Sequence, residues 1–246
     1  MVSGRNVFMR NRLLKNWHKW RKVILIHIGN DIVDLTDPHN MGKSRNPRFV
    51  NRVFTTSEQR QIFNSANPDT MIWAIWAGKE TAYKIISKCD PSASSTPRLY
   101  EVSLDCTDNF SKSDAFPIGD SSISGSVDTP SGKIYIRIFV TCDYVHCVGA
   151  TSPLETTDAV VWHVDRIGAV SEVSPAYESM FVRETLKKHL SAYVGESPED
   201  MEIRREKGTN GLNPPFVYLN GRRDEIDISL SHDGAFTAYA FTILDS

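Results

Sequence analysis

Between Val23 and Leu35 the chain reads VILIHIGNDIVDL, an apolar run that predicts a buried strand broken by Gly29, with the acids Asp31 and Asp34 at its end. Carboxylates at that place are the first departure from a plain core pattern. Thr55-Thr56-Ser57-Glu58 then has the form of a helix start, and Pro68-Asp69 opens a stronger helix reaching about Lys88, with Ile72, Ile75, Trp76, Ala82, Tyr83 and Ile86 at helical spacing. Pro91 stops it. Pro91 to Pro97 reads as loop, Leu99 to Leu104 as a short strand, and the polar stretch from Cys106 to Gly132 as a long mobile connection.

From Gly132 to Ala150 the alternation of Ile134, Ile136, Ile138 and Val140, followed by a turn near Asp143, predicts a hairpin, with a third strand around Ala159 to Val164. Ser174-Pro175 begins a second helix with Val182, Leu186, Leu190 and Tyr193 on one stripe, ended at Gly195. Last, Ile226, Ile228 and Leu230 alternate, Asp233-Gly234 turns, and Phe236 to Ile243 returns as the second strand of a tight hairpin. The order helix, strand, hairpin thus occurs twice, and the helices share a local text, Lys79-Glu80-Thr81 and Arg183-Glu184-Thr185. The expected fold is α+β, two similar halves related by a pseudo-twofold, each laying a long helix on a small antiparallel sheet. The halves would be 23–155 and 156–246, after a basic arm over 1–22, with an active cleft between them.

Composition adds less than pattern does. The 246 residues, 40% hydrophobic and 24% charged, describe an ordinary globular chain with no apolar run long enough to span a membrane. Charge is uneven: the first 30 residues hold seven of the 28 Lys and Arg and no acid, so the remainder is clearly acidic. Such a start suits a transit peptide, a disordered arm or an anion-attracting flap, but lacks the apolar core of a secretion signal. Cys89, Cys106, Cys142 and Cys147 show no repeated pair spacing, which points to a reducing, cytoplasmic setting. Cys142 and Cys147 would face opposite sides of their strand, so with His146 they make no zinc site.

Glu80 and Lys84 stand four residues apart on the strong helix, on the stripe of Trp73 and Ala77. Alone, that is the spacing of a solvated surface pair. Asp31 changes its weight, since one carboxylate from a strand and one from a helix make the oxygen-rich, partly open site that Mg²⁺ takes when substrate phosphates complete its shell. Ser231-His232-Asp233 cannot be a hydrolase triad, because neighbours on a strand point apart; contact with a phosphate suits Ser231 and His232 better.

Three texts together, GNDIVDL (Gly29 to Leu35), WAGKETAYK (Trp76 to Lys84) and ISLSHDG (Ile228 to Gly234), resemble the signature blocks of the 4′-phosphopantetheinyl transferase superfamily. RFVNRVFTTSE, from Arg48 to Glu58, also resembles the spacer of its holo-acyl-carrier-protein synthases. The resemblance implies transfer of the phosphopantetheine arm of coenzyme A to a serine of an acyl or peptidyl carrier protein, leaving 3′,5′-ADP. It implies Asp31 and Glu80 as Mg²⁺ ligands and Glu80 as acceptor of the serine proton, directly or through water. It implies Lys84 at the charge of the transferred or leaving phosphate, and Ser231 and His232 at the phosphates of the adenosine end. The implied partners are coenzyme A and a carrier protein, with no nucleic acid and no membrane.

The sequence also departs from the pattern. Larger enzymes of the superfamily carry a third acid two residues after the aspartate, where this chain has Val33, and they place the Ser-His half first. The reversed order fits either permuted halves, for which a monomer suffices, or a small synthase with a long insertion, for which a trimer is expected. The usual Gly-Lys-Pro before the Ser-His block reads Leu212-Asn213-Pro214, leaving Arg183, Lys207 and Arg222 as candidates for the missing basic contact. Arg45, Arg48 and Arg52, with the basic arm, are candidates for the rim that meets an acidic carrier. The rival readings are a non-catalytic module of the same fold that binds coenzyme A or a carrier, and a metal-dependent phosphodiesterase.

Overall fold

A computed structural model describes residues 26–105, 122–153, 160–167, 174–208 and 211–242; the basic arm lies outside these. The chain enters on β1 (Ile28–Asp34) and passes through α1 (Pro47–Val53) and α2 (Thr56–Asn64) to the long helix α3 (Pro68–Cys89). Strands β2 (Glu101–Leu104), β3 (Ser122–Thr129), β4 (Gly132–Val140) and β5 (Tyr144–Ala150) follow. With β1 they form a five-stranded antiparallel sheet in the order β1-β5-β4-β3-β2.

Helix α3 starts where expected because Pro68 occupies its first turn and the Asn67 side chain accepts from Thr70 N–H. Its face of Ile72, Ile75, Ala82, Ile85 and Ile86 is buried against the sheet, where it packs with Ile134, Ile136 and Ile138 of β4. Gly29 does not break β1, contrary to the sequence expectation; all seven residues of the strand pair with β5. A Cβ there would stand 2.5 Å from the carbonyl oxygen of Thr81 and 2.8 Å from Ile85 Cγ1. The glycine therefore serves close passage of helix over strand, and Asp31 lies in mid-strand rather than at its end.

The polar stretch also needs correction. Its last part is strand β3, with Ile123 and Val127 buried, while residues 106–121 lie outside the described ones. Alternation with serine and glycine had hidden the strand period.

Beyond β6 (Val160–Arg166), helix α4 (Pro175–Val194) begins on the N-cap Ser174 and ends on Gly195 in the left-handed conformation. Val182, Leu186 and Leu190 are buried, but Tyr193 is half exposed. The final hairpin forms from β10 (Ile228–Asp233) and β11 (Phe236–Thr242), with β6 beside β11, in the order β10-β11-β6. Helix α4 packs on β10 and β11. A third sheet, β7 (Met201–Gly208), β8 (Gly211–Leu219) and β9 (Arg222–Arg223), was not expected from the sequence. The charged run Arg204 to Lys207 after Ile203, and the pair Pro214-Pro215 inside β8, mask it. The whole is a mixed α/β fold built on antiparallel sheets, and among the described residues no helix is long and apolar enough to cross a membrane.

The first sheet meets the Ser-His hairpin along one seam. β1 pairs with β5 on one edge; on the other, side chains of the β10 segment satisfy its backbone. Ile28 N–H donates to Asp227 Oδ2 at 2.8 Å, Asn30 N–H to Ser229 Oγ at 2.9 Å and Asp34 N–H to Asp233 Oδ2 at 2.8 Å. The carbonyls of Ile28 and Asn30 accept from Lys88 Nζ at 2.6 Å and Lys84 Nζ at 2.9 Å. An edge that could pair with any strand is thus closed by side chains at alternate positions.

Candidate active site

Lys84 anchors the site. Its ammonium lies 2.8 Å from Asp31 Oδ1 and donates to the carbonyls of Asn30 and, at 3.4 Å, Leu230, so it touches strands from both sides of the seam. The i,i+4 partner suggested by spacing, Glu80, makes no ion pair or hydrogen bond among the described residues. Burial and then the nearby charge of Asp31 push the Glu80 carboxyl up to about 7, against a smaller opposing pull from Lys84. Asp31 is raised as well, by burial that outweighs the attraction of Lys84.

The lysine before Glu80 has a different task. Lys79 is 1% exposed, lies 2.6 Å from Glu58 Oε1 and donates to the carbonyls of Pro97 and Tyr100. Glu58 in turn accepts from Val102 N–H and closes the cap of α2 with Thr55. Lys79 thereby locks the rotation of α3 and sets which way Glu80 and Lys84 face.

Ser231 and His232 fall on the same seam but point to different partners. Ser231 is buried, with Oγ accepting from Asn30 Nδ2 at 2.8 Å and donating to Ala238 O at 3.5 Å. His232 is near enough for its charge to favour ionised Asp31, and its Nδ1 lies 2.6 Å from Oε2 of Glu178 on α4. Asp34 takes no part in the carboxylate pair: Oδ2 accepts from Ala235 N–H and Oδ1 from Thr36. Gly234, at φ 54°, must lack a Cβ because one would meet that same Oδ2.

A cleft of about 500 Å³ opens beside this group. Glu80, Lys84 and Lys88 of α3 line it on one side, Ser229 and Leu230 of β10 on another, and Arg205 with Asn213 and Pro214 on a third. Asp31, Ser231 and His232 are not among its lining residues, and Asp31 is joined to it through Lys84. Of the candidates for the missing basic contact, Arg183 hydrogen-bonds to Ser179 within its own helix, and Lys207 and Arg222 are exposed; none lines the cleft. Arg205 does, and sequence reasoning passed it over because it sits in the unrecognised strand β7. Glu178 was missed too, having no partner within reach in the sequence. Arg45, Arg48 and Arg52 are exposed on and before α1.

Among the described residues no three acidic, histidine or cysteine side chains gather as a metal-holding group. Two neighbouring carboxylates, both raised and one without a partner among the described residues, nevertheless suit a divalent cation that takes its remaining oxygens from water and substrate phosphates. Comparison with known proteins bears on the same residues. Residues 27–131 match the 4′-phosphopantetheinyl transferase superfamily.

That match shows the resemblance read from the motifs for the segment from β1 through β3, which contains Asp31, Glu80 and Lys84. A holo-[acyl-carrier-protein] synthase of Chlamydia felis (strain Fe/C-56) is 32% identical over 62 residues, 25% of this chain and 51% of that protein. The match to this curated relative thus spans about half of its length. The mixed α/β fold is compatible with the transferase superfamily, while the Ser-His hairpin lies beyond the matched segment.

Proposed function

We propose that the protein transfers the 4′-phosphopantetheine arm of coenzyme A to a serine of an apo-carrier protein, with Mg²⁺, releasing 3′,5′-ADP. The observation that carries this reading is that Glu80 and Lys84 line one cleft while Asp31 is ion-paired to Lys84 and close enough to Glu80 for its charge to be felt there, the three residues of the transferase-like motifs. Asp31 and Glu80 would hold Mg²⁺, which when bound offsets charge on the pyrophosphate. The carrier serine Oγ forms a bond to the β-phosphorus and the bridging P–O bond breaks, with 3′,5′-ADP as leaving group. Glu80 takes the serine proton, directly or through one water, its raised pKa matching a base that works near neutrality. Lys84 places its charge at the phosphate where negative charge grows. Ser231, whose Oγ also accepts from Asn30 Nδ2, and His232 meet the phosphates of the adenosine end.

The architecture belongs to the same proposal: two halves, 23–155 and 156–246, related by a pseudo-twofold and permuted relative to the larger enzymes. Supporting it, β6-β11-β10 repeats the order β1-β5-β4, and α3 packs on β5 and β4 as α4 packs on β11 and β10. One cleft shared by both halves makes a monomer sufficient. Arg45, Arg48 and Arg52 form the rim for an acidic carrier, whose association would weaken in high salt more than coenzyme A binding does.

Intact mass of several apo-carrier proteins after incubation with the protein, coenzyme A and Mg²⁺ tests the reading. A gain of one phosphopantetheine, abolished by EDTA, supports it. No gain on any carrier, with coenzyme A still bound, would leave a binding module in its place.

A further inference from the structure

Glu178 is a carboxylate in an unexpected position, close to where the proposed reading puts phosphates. It stands in the first turn of α4, where the positive end of the helix favours an acid, so the helix alone accounts for its presence but not for its direction. Its side chain is 13% exposed and Oε2 lies 2.6 Å from His232 Nδ1. Among the described residues neither side chain has another partner, and Nε2 is the free nitrogen of the ring. His232 also lies near enough to Asp31, which is itself paired with Lys84, for its charge to be felt there, so the ring stands close to the proposed catalytic groups. An acid held on Nδ1 fixes the ring plane and its tautomer, as a carboxylate does for an imidazole in metal sites and triads. It also spends its negative charge on the ring rather than on an incoming anion.

We propose that Glu178 is a positioning residue, holding the His232 ring by Nδ1 so that Nε2 faces the phosphates of coenzyme A. The proposal rests on the transferase reading above. Replacing Glu178 with Gln keeps shape and removes charge. The expected result is a coenzyme A dissociation constant and KM raised about tenfold, kcat changed less than twofold, and partial recovery in Glu178→Asp.

The ring itself gives a second readout. ¹⁵N spectra of His232 should show hydrogen held on Nδ1 in the native protein and a mixture of ring forms in Glu178→Gln. Ser174→Ala, which removes the N-cap of the same helix, serves as control: it should lower the Tm and leave the coenzyme A KM unchanged. An unchanged ring spectrum and unchanged affinity in Glu178→Gln would overturn the positioning role. So would an equal rise in KM for Ser174→Ala, which would reduce Glu178 to a helix-end residue. If the native protein binds no coenzyme A, the transferase reading falls first, and the phosphate-facing role of His232 falls with it.

Discussion

Lys84 Nζ lies 2.8 Å from Asp31 Oδ1, while Glu80, one turn behind it on the same helix, has no ion pair among the described residues. The lysine thus links helix to strand, and Glu80 remains available for a cation or a proton.

Removing that lysine should separate stability from activity. Lys84→Met keeps the apolar stem, and because Asp31 is 13% exposed and Lys84 26%, the stability lost is expected near 1–2 kcal/mol, less than for a fully buried pair. Transfer activity should fall about 10²-fold or more, as on loss of a charge aimed at the reacting phosphate. The double variant Asp31→Asn with Lys84→Met should regain part of the stability and none of the activity, read by urea denaturation and carrier mass.

Much of this arrangement was legible in the sequence because it rests on local signals. Pro68-Asp69 and Ser174-Pro175 mark both helix starts, and Asp233-Gly234 marks the final turn, all with the structure in agreement. Partners distant in sequence were not legible. Nothing local says that Lys84 turns to Asp31, that Lys79 turns inward to Glu58, or that Glu178 meets His232, because those pairings exist only once α3 and α4 lie on their sheets. Gly29 shows the same limit: a glycine in an apolar run reads as a break, whereas the reason for it is the carbonyl of Thr81 passing close by.

Gly29→Ala tests that reason. The added Cβ would stand 2.5 Å from a backbone oxygen, which cannot rotate away, so α3 must move off β1. A loss of about 1–3 kcal/mol is expected. Because Glu80 and Lys84 ride on that helix, transfer should fall even in the fraction that stays folded, measured as kcat at a temperature well below the variant's Tm.

Cation binding should carry a proton signature. With the Glu80 carboxyl near 7, the group is protonated below that pH and must lose its proton to take up Mg²⁺. Titration calorimetry in buffers of different ionisation heat should show release approaching one proton at pH 6 and much less at pH 8. The apparent affinity should weaken about tenfold per pH unit below about 7. Glu80→Gln should abolish the release; release that survives in that variant would assign it elsewhere.

Lys88 closes the seam one turn beyond Lys84. It is 6% exposed, lies 2.7 Å from Asp227 Oδ1 and donates to the carbonyls of Ile28 and Ile228. Lys88→Ala leaves Asp227 buried without its cation and two carbonyls without a donor, a loss expected at about 3–5 kcal/mol. Hydrogen exchange should then rise first at Ile28 and Asn30, whose N–H groups depend on the β10 segment.

His146 sets how the fold responds to acid. It is fully buried beside Phe139 and Trp162, and burial, with smaller contributions from the charges of Lys84 and His163, pushes its pKa down to about 3. In the unfolded chain an ordinary histidine titrates near 6.5. Between those values the unfolded state binds the extra proton, so stability falls as pH falls, by up to about 1.4 kcal/mol per pH unit from this residue. From pH 7.5 to pH 5 that amounts to about 2 kcal/mol. His146→Phe keeps a flat ring against Phe139 and removes the titration. Its stability at pH 7.5 will reflect repacking, but the slope of urea stability between pH 6.5 and 4.5 should be shallower by about one proton, and an unchanged slope would show that the acid response arises at another group.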